Sequence, residues 1–240
     1  MKIEVWLDFT CPFCYLAKKR LESAINDFQF GSNVEVEYKS YLINPLVTKT
    51  LAIDAHQSLA VHKDISYEEA KLIHTKIALM GFEDGVIMNF GEVKPTTSKC
   101  AHRLSKLIKD NVKKAAFIDD IYKAYFELGE DISDYKVLLK YMKKIDFTEN
   151  QIKEAYQSDR YLTDIKYDND ESVSYGITGV PFFVIDQTFS LSGAQKKEAF
   201  DEMLQQVYYA NIQAVKEKHS KTEFCTGDDC DYVPKVKEHL

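Results

Sequence analysis

Two cysteines separated by two residues are the first groups in the sequence that could carry out chemistry. Cys11 and Cys14 stand in the stretch WLDFTCPFCYLAKK, near the first residue of the chain. Three uses fit such a pair: half of a tetrahedral zinc site, a structural disulfide, or a dithiol that exchanges with disulfides in other molecules. The elements around the pair indicate which of these uses is favoured.

The cysteines lie where a predicted strand passes into a predicted helix. Residues 3–7 show a short strand pattern. From Cys11 to about residue 28, apolar residues recur at helical spacing. With Thr10 as the N-cap, Cys11 falls in the first helical turn, where free N–H groups and the helix dipole favour an anion. We therefore expect Cys11 to be the attacking thiolate and Cys14, one turn deeper, to be shielded.

The zinc and structural-disulfide interpretations are weaker than the dithiol interpretation. A zinc site needs two more ligands, and the other well-spaced pair, Cys225 and Cys230, lies far away along the chain. If Met1 is the native start, the lack of a signal-peptide pattern predicts a cytoplasmic protein. Structural disulfides are rare in that compartment. A working dithiol is the interpretation that fits best.

Composition excludes several other classes of function. The 240 residues carry a net charge of −7 and are 45% hydrophobic and 29% charged. No basic block is present, so we expect no nucleic-acid partner. No apolar run reaches the roughly 18–20 residues that cross a bilayer, so we expect no membrane partner. No pattern predicts a metal or another cofactor.

The order of the predicted elements indicates an α/β fold. Residues 1–46 form a β-α-β pattern, and GVPFFVID and TFSLSG predict two antiparallel strands before a last helix. We predict a discontinuous domain of residues 1–46 and 176–216, interrupted by an all-helical domain of residues 47–175. Residues 217–240 form a polar tail with a C-x4-C pair. The fold is therefore βαβ, a large helical insertion, then ββα.

A Val-Pro pair opens the first of the two late strands. Because proline cannot donate to a strand ladder, Pro181 belongs at the first position of that strand. Only about 5–6% of X–Pro bonds in folded proteins are cis, so the pattern by itself favours a trans bond between Val180 and Pro181.

Together these motifs resemble the thioredoxin superfamily, and its DsbA branch in particular. WLDFTCPFCYLAKKRLE, TTSKCAHRLSKL and YGITGVPFFVIDQTFSLSGAQ are similar to FrnE-like cytosolic DsbA-family oxidoreductases over about residues 1–215. The resemblance implies a thiol-disulfide oxidoreductase with Cys11 as nucleophile, Cys14 as resolving thiol and a cis Pro181 beside them. It also implies that the backbone of Val180 pairs with disulfide-containing protein or peptide substrates. A thiol reductant, glutathione or a thioredoxin-like partner, is the second expected partner.

Four further residues are predicted to bind substrate. Pro12 and Phe13 stand between the cysteines, and His102 and Arg103 are expected to line the groove that faces them. An equal interpretation places the latter two on the polar face of an amphipathic helix. Oxidising DsbA proteins have histidine where Phe13 stands, and that histidine helps to stabilise the thiolate. Phe13 has neither charge nor donor, and Asp8 adds negative charge nearby, so we expect a less acidic Cys11 and a milder couple suited to reduction or isomerisation.

Two alternatives to a dithiol enzyme remain. Kappa-class glutathione transferases and 2-hydroxychromene-2-carboxylate isomerases share the architecture and bind glutathione, but they have serine where Cys11 stands. The runner-up is therefore a glutathione-dependent isomerase or transferase. A non-enzyme alternative is a redox-sensing, holdase-like module whose helices bind unfolded peptides.

Cysteines and histidines outside these motifs carry weaker predictions. Cys225 and Cys230 form an auxiliary redox pair, two exposed tail thiols, or a metal clip with His219, and the sequence leaves these open. Cys100 is expected to be a small buried hydrophobe. The other histidines of this region are interpreted as ordinary polar residues without metal-binding or triad partners: His56, His62 and His74.

Overall fold

A four-stranded mixed sheet forms the centre of the fold. The structure is a computed structural model that describes the backbone of residues 1–222 and the side chains of residues 1–216. The strand order is β2-β1-β3-β4, with β1 and β2 parallel and the other two pairs antiparallel. The strands are β1 (Lys2–Leu7), β2 (Glu35–Ser40), β3 (Phe182–Ile185) and β4 (Phe189–Ser192). Buried β1 therefore lies between the parallel and the antiparallel parts of the sheet.

Helices surround this sheet in the predicted order. One helix connects β1 to β2, seven lie between β2 and β3, and one follows β4. They are α1 (Pro12–Asp27), α2 (Ala55–Lys63), α3 (Tyr67–Glu83), α4 (Lys99–Leu107), α5 (Asn111–Tyr122), α6 (Tyr135–Lys144), α7 (Glu149–Gln157), α8 (Arg160–Ser174) and α9 (Lys197–Thr222), with a 3-10 turn at Gly31–Asn33 and a π-helical turn at Lys123–Glu127. The predicted α/β fold, βαβ followed by helices and ββα, is confirmed. Among the described helices, none is long and apolar enough to cross a membrane.

Helix α8 is attached to the sheet through one buried carboxylate. Asp168 is 3% exposed, and its carboxylate accepts a hydrogen bond from the Ser40 N–H of β2 and pairs with Lys106 of α4. The Asp168 carbonyl accepts a hydrogen bond of 3.0 Å from the indole N–H of Trp6 in β1. A single residue of the helical insertion therefore holds both parallel strands.

Helix α3 begins at a capping box and continues past a glycine. Ser66 and Glu69 form the capping box, each side chain accepting from the backbone N–H of the other. Glycine commonly ends a helix, but Gly81 lies inside this one, since α3 continues to Glu83. A Cβ atom on Gly81 would lie 3.0 Å from the carbonyl oxygen of Val86, so glycine permits the close approach of the following loop.

Two of the three histidines expected to lack partners form a buried pair. The Nδ1 atoms of His56 in α2 and His74 in α3 are 2.8 Å apart, a hydrogen bond between two imidazoles. The ring of His74 stacks on Phe90 with centroids 4.1 Å apart. The interpretation of these two as ordinary polar residues was therefore wrong, because α2 was not recognised in the sequence and the contact depends on it. His62 is exposed on α2, as expected.

Because its His74 imidazole is buried, we expect the protein to be less stable in acid. Burial and the neighbouring His56 together lower the pKa of this imidazole to about 4, while Asp54 opposes the shift. The unfolded chain takes up this proton below about pH 6.5 and the folded chain only below about pH 4, so the free energy of unfolding falls as pH drops through that window. From pH 7 to 4.5 we expect this histidine to contribute about 2 kcal/mol of the loss.

Urea unfolding of His74→Gln at pH 7 and pH 4.5 measures that contribution. The variant should lose less stability than the wild type between the two pH values, whatever its stability at pH 7. His62→Gln, which changes an exposed histidine of α2, is the matched control and should keep the pH dependence of the wild type. Equal pH dependence in all three proteins would contradict the assignment.

Candidate active site

The CPFC turn joins β1 to α1. Cys11 is the N-cap of the helix, with extended backbone angles of φ −92° and ψ 112°, and Pro12 occupies the first turn. Thr10 was expected to be the N-cap. It lies outside the helix because the Asp8 carboxylate accepts hydrogen bonds from both its N–H and its hydroxyl, each at 2.8 Å. The helix therefore begins one residue later than the sequence predicts.

The two thiols occupy unequal environments. Cys11 is 5% exposed and Cys14 is 1% exposed, and both are free thiols. Burial raises the pKa of the Cys14 thiol well above its ordinary value, and its hydrogen bond with Cys11 and the charge of Asp8 raise it further. Between them Phe13 is 39% exposed, and Pro12 is partly buried. Cys14 therefore remains protonated at neutral pH, while Cys11 lies at the helix N-terminus, where an anion is favoured.

The Val180–Pro181 segment lies directly against the first cysteine. The Cys11 Sγ donates to the Val180 carbonyl oxygen at 3.7 Å, although 169 residues separate them in sequence. The Val180–Pro181 peptide bond is cis, as the resemblance implied and contrary to the base rate for prolines. A surface cavity of about 330 Å³ adjoins this segment. Its lining residues are Gly176, Thr178, Gly179, Val180, Pro181, Phe182, Ser192 and Gly193.

Asp8, which the sequence marks only as a nearby negative charge, is also bonded to several groups of the site. Its buried carboxylate accepts from Thr10, as described above, and its second oxygen accepts a hydrogen bond of 2.8 Å from the Ile43 N–H. The backbone of Asp8 accepts from the Cys11 N–H at 3.1 Å. The available signal was an acidic residue directly after a buried apolar strand, which is an unusual place for a charge.

Tyr122 of the helical insertion also reaches this turn. Its hydroxyl donates a hydrogen bond of 3.2 Å to the Asp8 carbonyl oxygen, and its ring stacks on Tyr15 with centroids 4.9 Å apart. Burial raises the pKa of the Tyr122 hydroxyl well above its ordinary value, so it stays a hydrogen-bond donor. Sequence offered no signal for this contact, since Tyr122 stands among many other aromatic residues in helical segments.

The structure places His102 and Arg103 away from an open groove. His102 is buried with its ring 4.6 Å from that of Phe9, and burial lowers its pKa to about 4, so it is neutral at pH 7. Arg103 donates to the Tyr156 carbonyl at 2.8 Å and pairs with Asp159 at 3.4 Å. The expectation that both line the groove is not supported by this placement, because one side chain is shielded and the other is directed to α7.

The remaining predicted groups lie outside this site. Cys100 is partly buried against the core, a little less than the fully buried hydrophobe that was expected. Cys225 and Cys230 lie outside the described residues, as does the side chain of His219, so their predicted uses stay predictions. Among the residues whose side chains are described, no three or more His, Cys, Asp or Glu groups are arranged to hold a metal ion.

Comparisons with known proteins agree on one architecture. Residues 2–205 match the family model described as a DSBA-like thioredoxin domain. The chain is 26% identical over 209 residues to YwbO of Bacillus subtilis (strain 168), covering 84% of this chain and 94% of YwbO. The probable DsbA oxidoreductase SCO1869 from Streptomyces coelicolor is similar in structure, with a TM-score of 0.80, 26% identity and coverage of 87% of this chain and 90% of that chain.

A more distant similarity is to the cytosolic disulfide reductase DsbM from Pseudomonas aeruginosa. The TM-score is 0.60 at 16% identity, covering 88% of this chain and 100% of DsbM. DsbM has also been solved with GSH. At this identity the similarity concerns the fold, and the residues of the CPFC turn and the Val180–Pro181 segment have to be interpreted from this chain's own geometry.

Proposed function

Because the chain belongs to the DSBA-like thioredoxin domain family, we propose that it is a thiol-disulfide oxidoreductase that acts on proteins or peptides through Cys11 and Cys14. The observation that carries the proposal is the inequality of the two thiols. Cys11 caps the helix beside the Val180 carbonyl, whereas Cys14 is buried with a raised pKa. Dithiol exchange requires one sulfur that attacks the substrate disulfide and a second that resolves the mixed disulfide afterwards.

The proposed reaction has two steps. The Cys11 thiolate attacks one sulfur of a substrate disulfide, forming a mixed disulfide and releasing the other substrate sulfur as a thiolate. Cys14 then loses its proton to that thiolate or to water, and its sulfur attacks Cys11, which releases the second substrate thiol. Two electrons pass from the cysteine pair to the substrate. The protein ends with a Cys11–Cys14 disulfide, and the substrate ends with two thiols.

We propose that the substrate chain binds across the Val180–Pro181 segment. An extended peptide there would pair with the Val180 backbone in the manner of an added strand, with the adjoining cavity of about 330 Å³ open to its side chains. Pro12 and the exposed ring of Phe13 follow Cys11 in the turn and would offer apolar surface to the same substrate. This arrangement supports binding of backbone rather than of one specific side chain, and it therefore favours a range of protein substrates.

The proposed cycle closes with a thiol reductant in the cytoplasm. Glutathione or a thioredoxin-like protein would reduce the Cys11–Cys14 disulfide by the reverse exchange. The fold shared with DsbM, a cytosolic disulfide reductase solved with GSH, supports glutathione as a partner. We propose reduction or isomerisation as the physiological direction, since Phe13 gives the Cys11 thiolate neither a charge nor a hydrogen-bond donor.

Reduction of insulin by dithiothreitol tests the proposed activity. The protein should accelerate precipitation of the insulin B chain in proportion to its concentration, and acceleration should disappear after alkylation of its thiols. No acceleration would overturn the proposal. A glutathione-dependent isomerase or transferase would instead act on a small-molecule substrate only when glutathione is added. A holdase-like module would suppress aggregation of a denatured protein without reducing insulin.

Phe13→His tests the proposed direction. A histidine at this exposed position adds a donor and a partial positive charge beside the Cys11 sulfur, so it should stabilise the thiolate and with it the reduced protein. We expect the equilibrium with glutathione to shift about tenfold towards the dithiol, a potential about 30 mV less negative. Phe13→Leu is the matched control, because leucine is apolar and lacks a donor. Equal potentials for the two variants would contradict the role assigned to residue 13.

A further inference from the structure

Asp8 accepts hydrogen bonds through both its carboxylate and its carbonyl oxygen at the start of the CPFC turn. Its carboxylate accepts from the Thr10 N–H and hydroxyl and from the Ile43 N–H. Its carbonyl accepts from the Cys11 N–H at 3.1 Å and from the Tyr122 hydroxyl at 3.2 Å. These bonds fix the residue that leads the chain from the strand into the redox turn, so the position of Asp8 determines the position of both sulfurs.

The same residue acts on the buried sulfur. The negative charge of its carboxylate opposes formation of a Cys14 thiolate. The carboxylate is buried, and no lysine, arginine or histidine of the described residues forms an ion pair with it. Its charge is therefore weakly screened by solvent.

The titratable groups around Asp8 do not neutralise it at pH 7. They come from three elements packed against the turn, and none of them carries a positive charge at that pH. His102 of α4 has a pKa lowered to about 4 by burial, and burial raises the pKa of the tyrosine hydroxyls. These groups are Cys11, Cys14, His102, Tyr122 and Tyr125. None of these groups therefore supplies a positive charge that would offset the Asp8 carboxylate.

We propose that Asp8 is a positioning residue that biases the Cys11/Cys14 couple towards donating electrons. Reduced protein is stabilised when its sulfurs can exist as thiolates, and a strongly oxidising couple is one whose reduced form is stabilised in this way. A fixed negative charge beside the sulfurs has the opposite effect, whereas the Cys11–Cys14 disulfide carries no charge for it to oppose. The inference rests on the proposed function, since it sets the direction of that same exchange.

When the dithiol reduces a substrate disulfide, the atoms and electrons balance without a further reactant. The dithiol gives two electrons to the substrate disulfide, whose S–S bond breaks while the Cys11–Cys14 bond forms. The two thiol protons end on the two substrate sulfurs. Asp8 takes part in neither bond, and it acts only through its hydrogen bonds and its charge.

Asp8→Asn removes the charge and keeps the shape of the side chain. Equilibration with glutathione buffers, followed by acid quenching, alkylation and mass spectrometry, should show the equilibrium shifted about tenfold towards the dithiol, about 30 mV less negative. Because the effect acts through the thiolates, the difference from wild type should be larger at pH 8.5 than at pH 5.5. A shift of equal size at the two pH values, or no shift, would overturn the proposal.

Three further variants separate charge from structure. Asp8→Glu keeps the charge but disturbs the hydrogen bonds, and its potential should stay closer to wild type than to Asp8→Asn; a potential equal to that of Asp8→Asn would contradict the charge effect. Asp8→Ser removes the charge while its hydroxyl can still accept from Thr10, so it carries the same prediction if Asp8→Asn does not fold. Asp131→Asn is the matched control, since Asp131 accepts from Thr96 and Ser133 and should leave the potential unchanged.

The measurement is independent of the proposed activity. A protein that fails to reduce insulin, but whose potential shifts as described in Asp8→Asn, would refute the proposed function and leave the role of Asp8 intact. If the protein reduces insulin but its potential does not change in Asp8→Asn, the proposed function would stand and the role of Asp8 would be refuted.

Discussion

The Cys11→Ser variant should show no catalysed disulfide exchange, so that insulin with dithiothreitol precipitates at the rate measured without the protein. A serine hydroxyl is not ionised at neutral pH and cannot form a disulfide, so the first step of exchange is lost altogether. Cys11 is also the sulfur that faces the Val180 carbonyl, and Cys14 is too deeply buried to replace it. The effect should therefore be complete rather than partial.

Two other cysteine variants serve as controls for this result. Cys14→Ser keeps the attacking sulfur, so it should stall as a mixed disulfide with glutathione that intact-protein mass spectrometry detects. Cys100→Ser removes a partly buried free thiol that lies elsewhere and should retain the wild-type rate. If Cys11→Ser accelerates insulin reduction as the wild type does, the assignment of the nucleophile is wrong.

Asp168→Ala should lower the free energy of unfolding by about 3–5 kcal/mol, the range for breaking a buried ion pair by removing one partner. The substitution leaves Lys106 without its partner and the Ser40 N–H without an acceptor in a site that is 3% exposed at Asp168. The carbonyl that accepts from Trp6 belongs to the backbone and stays. The lowered free energy of unfolding therefore measures the contribution of the Asp168 carboxylate and not that of its backbone carbonyl.

Urea unfolding followed by circular dichroism measures this loss. Asp159→Ala is the matched control, since Asp159 pairs with Arg103 at 3.4 Å but is exposed to solvent. An exposed pair of this kind contributes about 0–1 kcal/mol. A loss for Asp168→Ala no larger than that for Asp159→Ala would show that the buried carboxylate does not hold the insertion to the sheet.

Much of the fold could be predicted because its signals are local. The strand pattern before the cysteines, the capping box of Ser66 and Glu69, and the strands that follow Pro181 each depend on a few adjacent residues. Placing Cys11 and Val180 together was a different kind of inference. It came from the resemblance, since no local pattern connects residues 169 positions apart.

What the sequence did not predict depends on contacts between distant elements. Helix α2 has a weak amphipathic pattern, so the pairing of His56 with His74 could not be foreseen. Asp8 showed the same limitation at the site itself. Its charge was visible in the sequence, but the bonds to Ile43 and Tyr122 that make it a fixed part of the turn come from a loop and from the insertion. Propensity alone likewise placed the helix start at Thr10.

The strand order of the sheet has a consequence for the newly made protein. Ile3 of β1 pairs with Ile185 of β3, close to the far end of the described chain. Ribosomes add about 5–20 residues per second, so β3 is synthesised roughly 10–35 seconds after β1. Throughout that interval the nascent chain carries Cys11 without the Val180 carbonyl that lies beside its sulfur in the finished protein. The sulfur proposed to attack is therefore present in the cell before the segment proposed to bind its substrate.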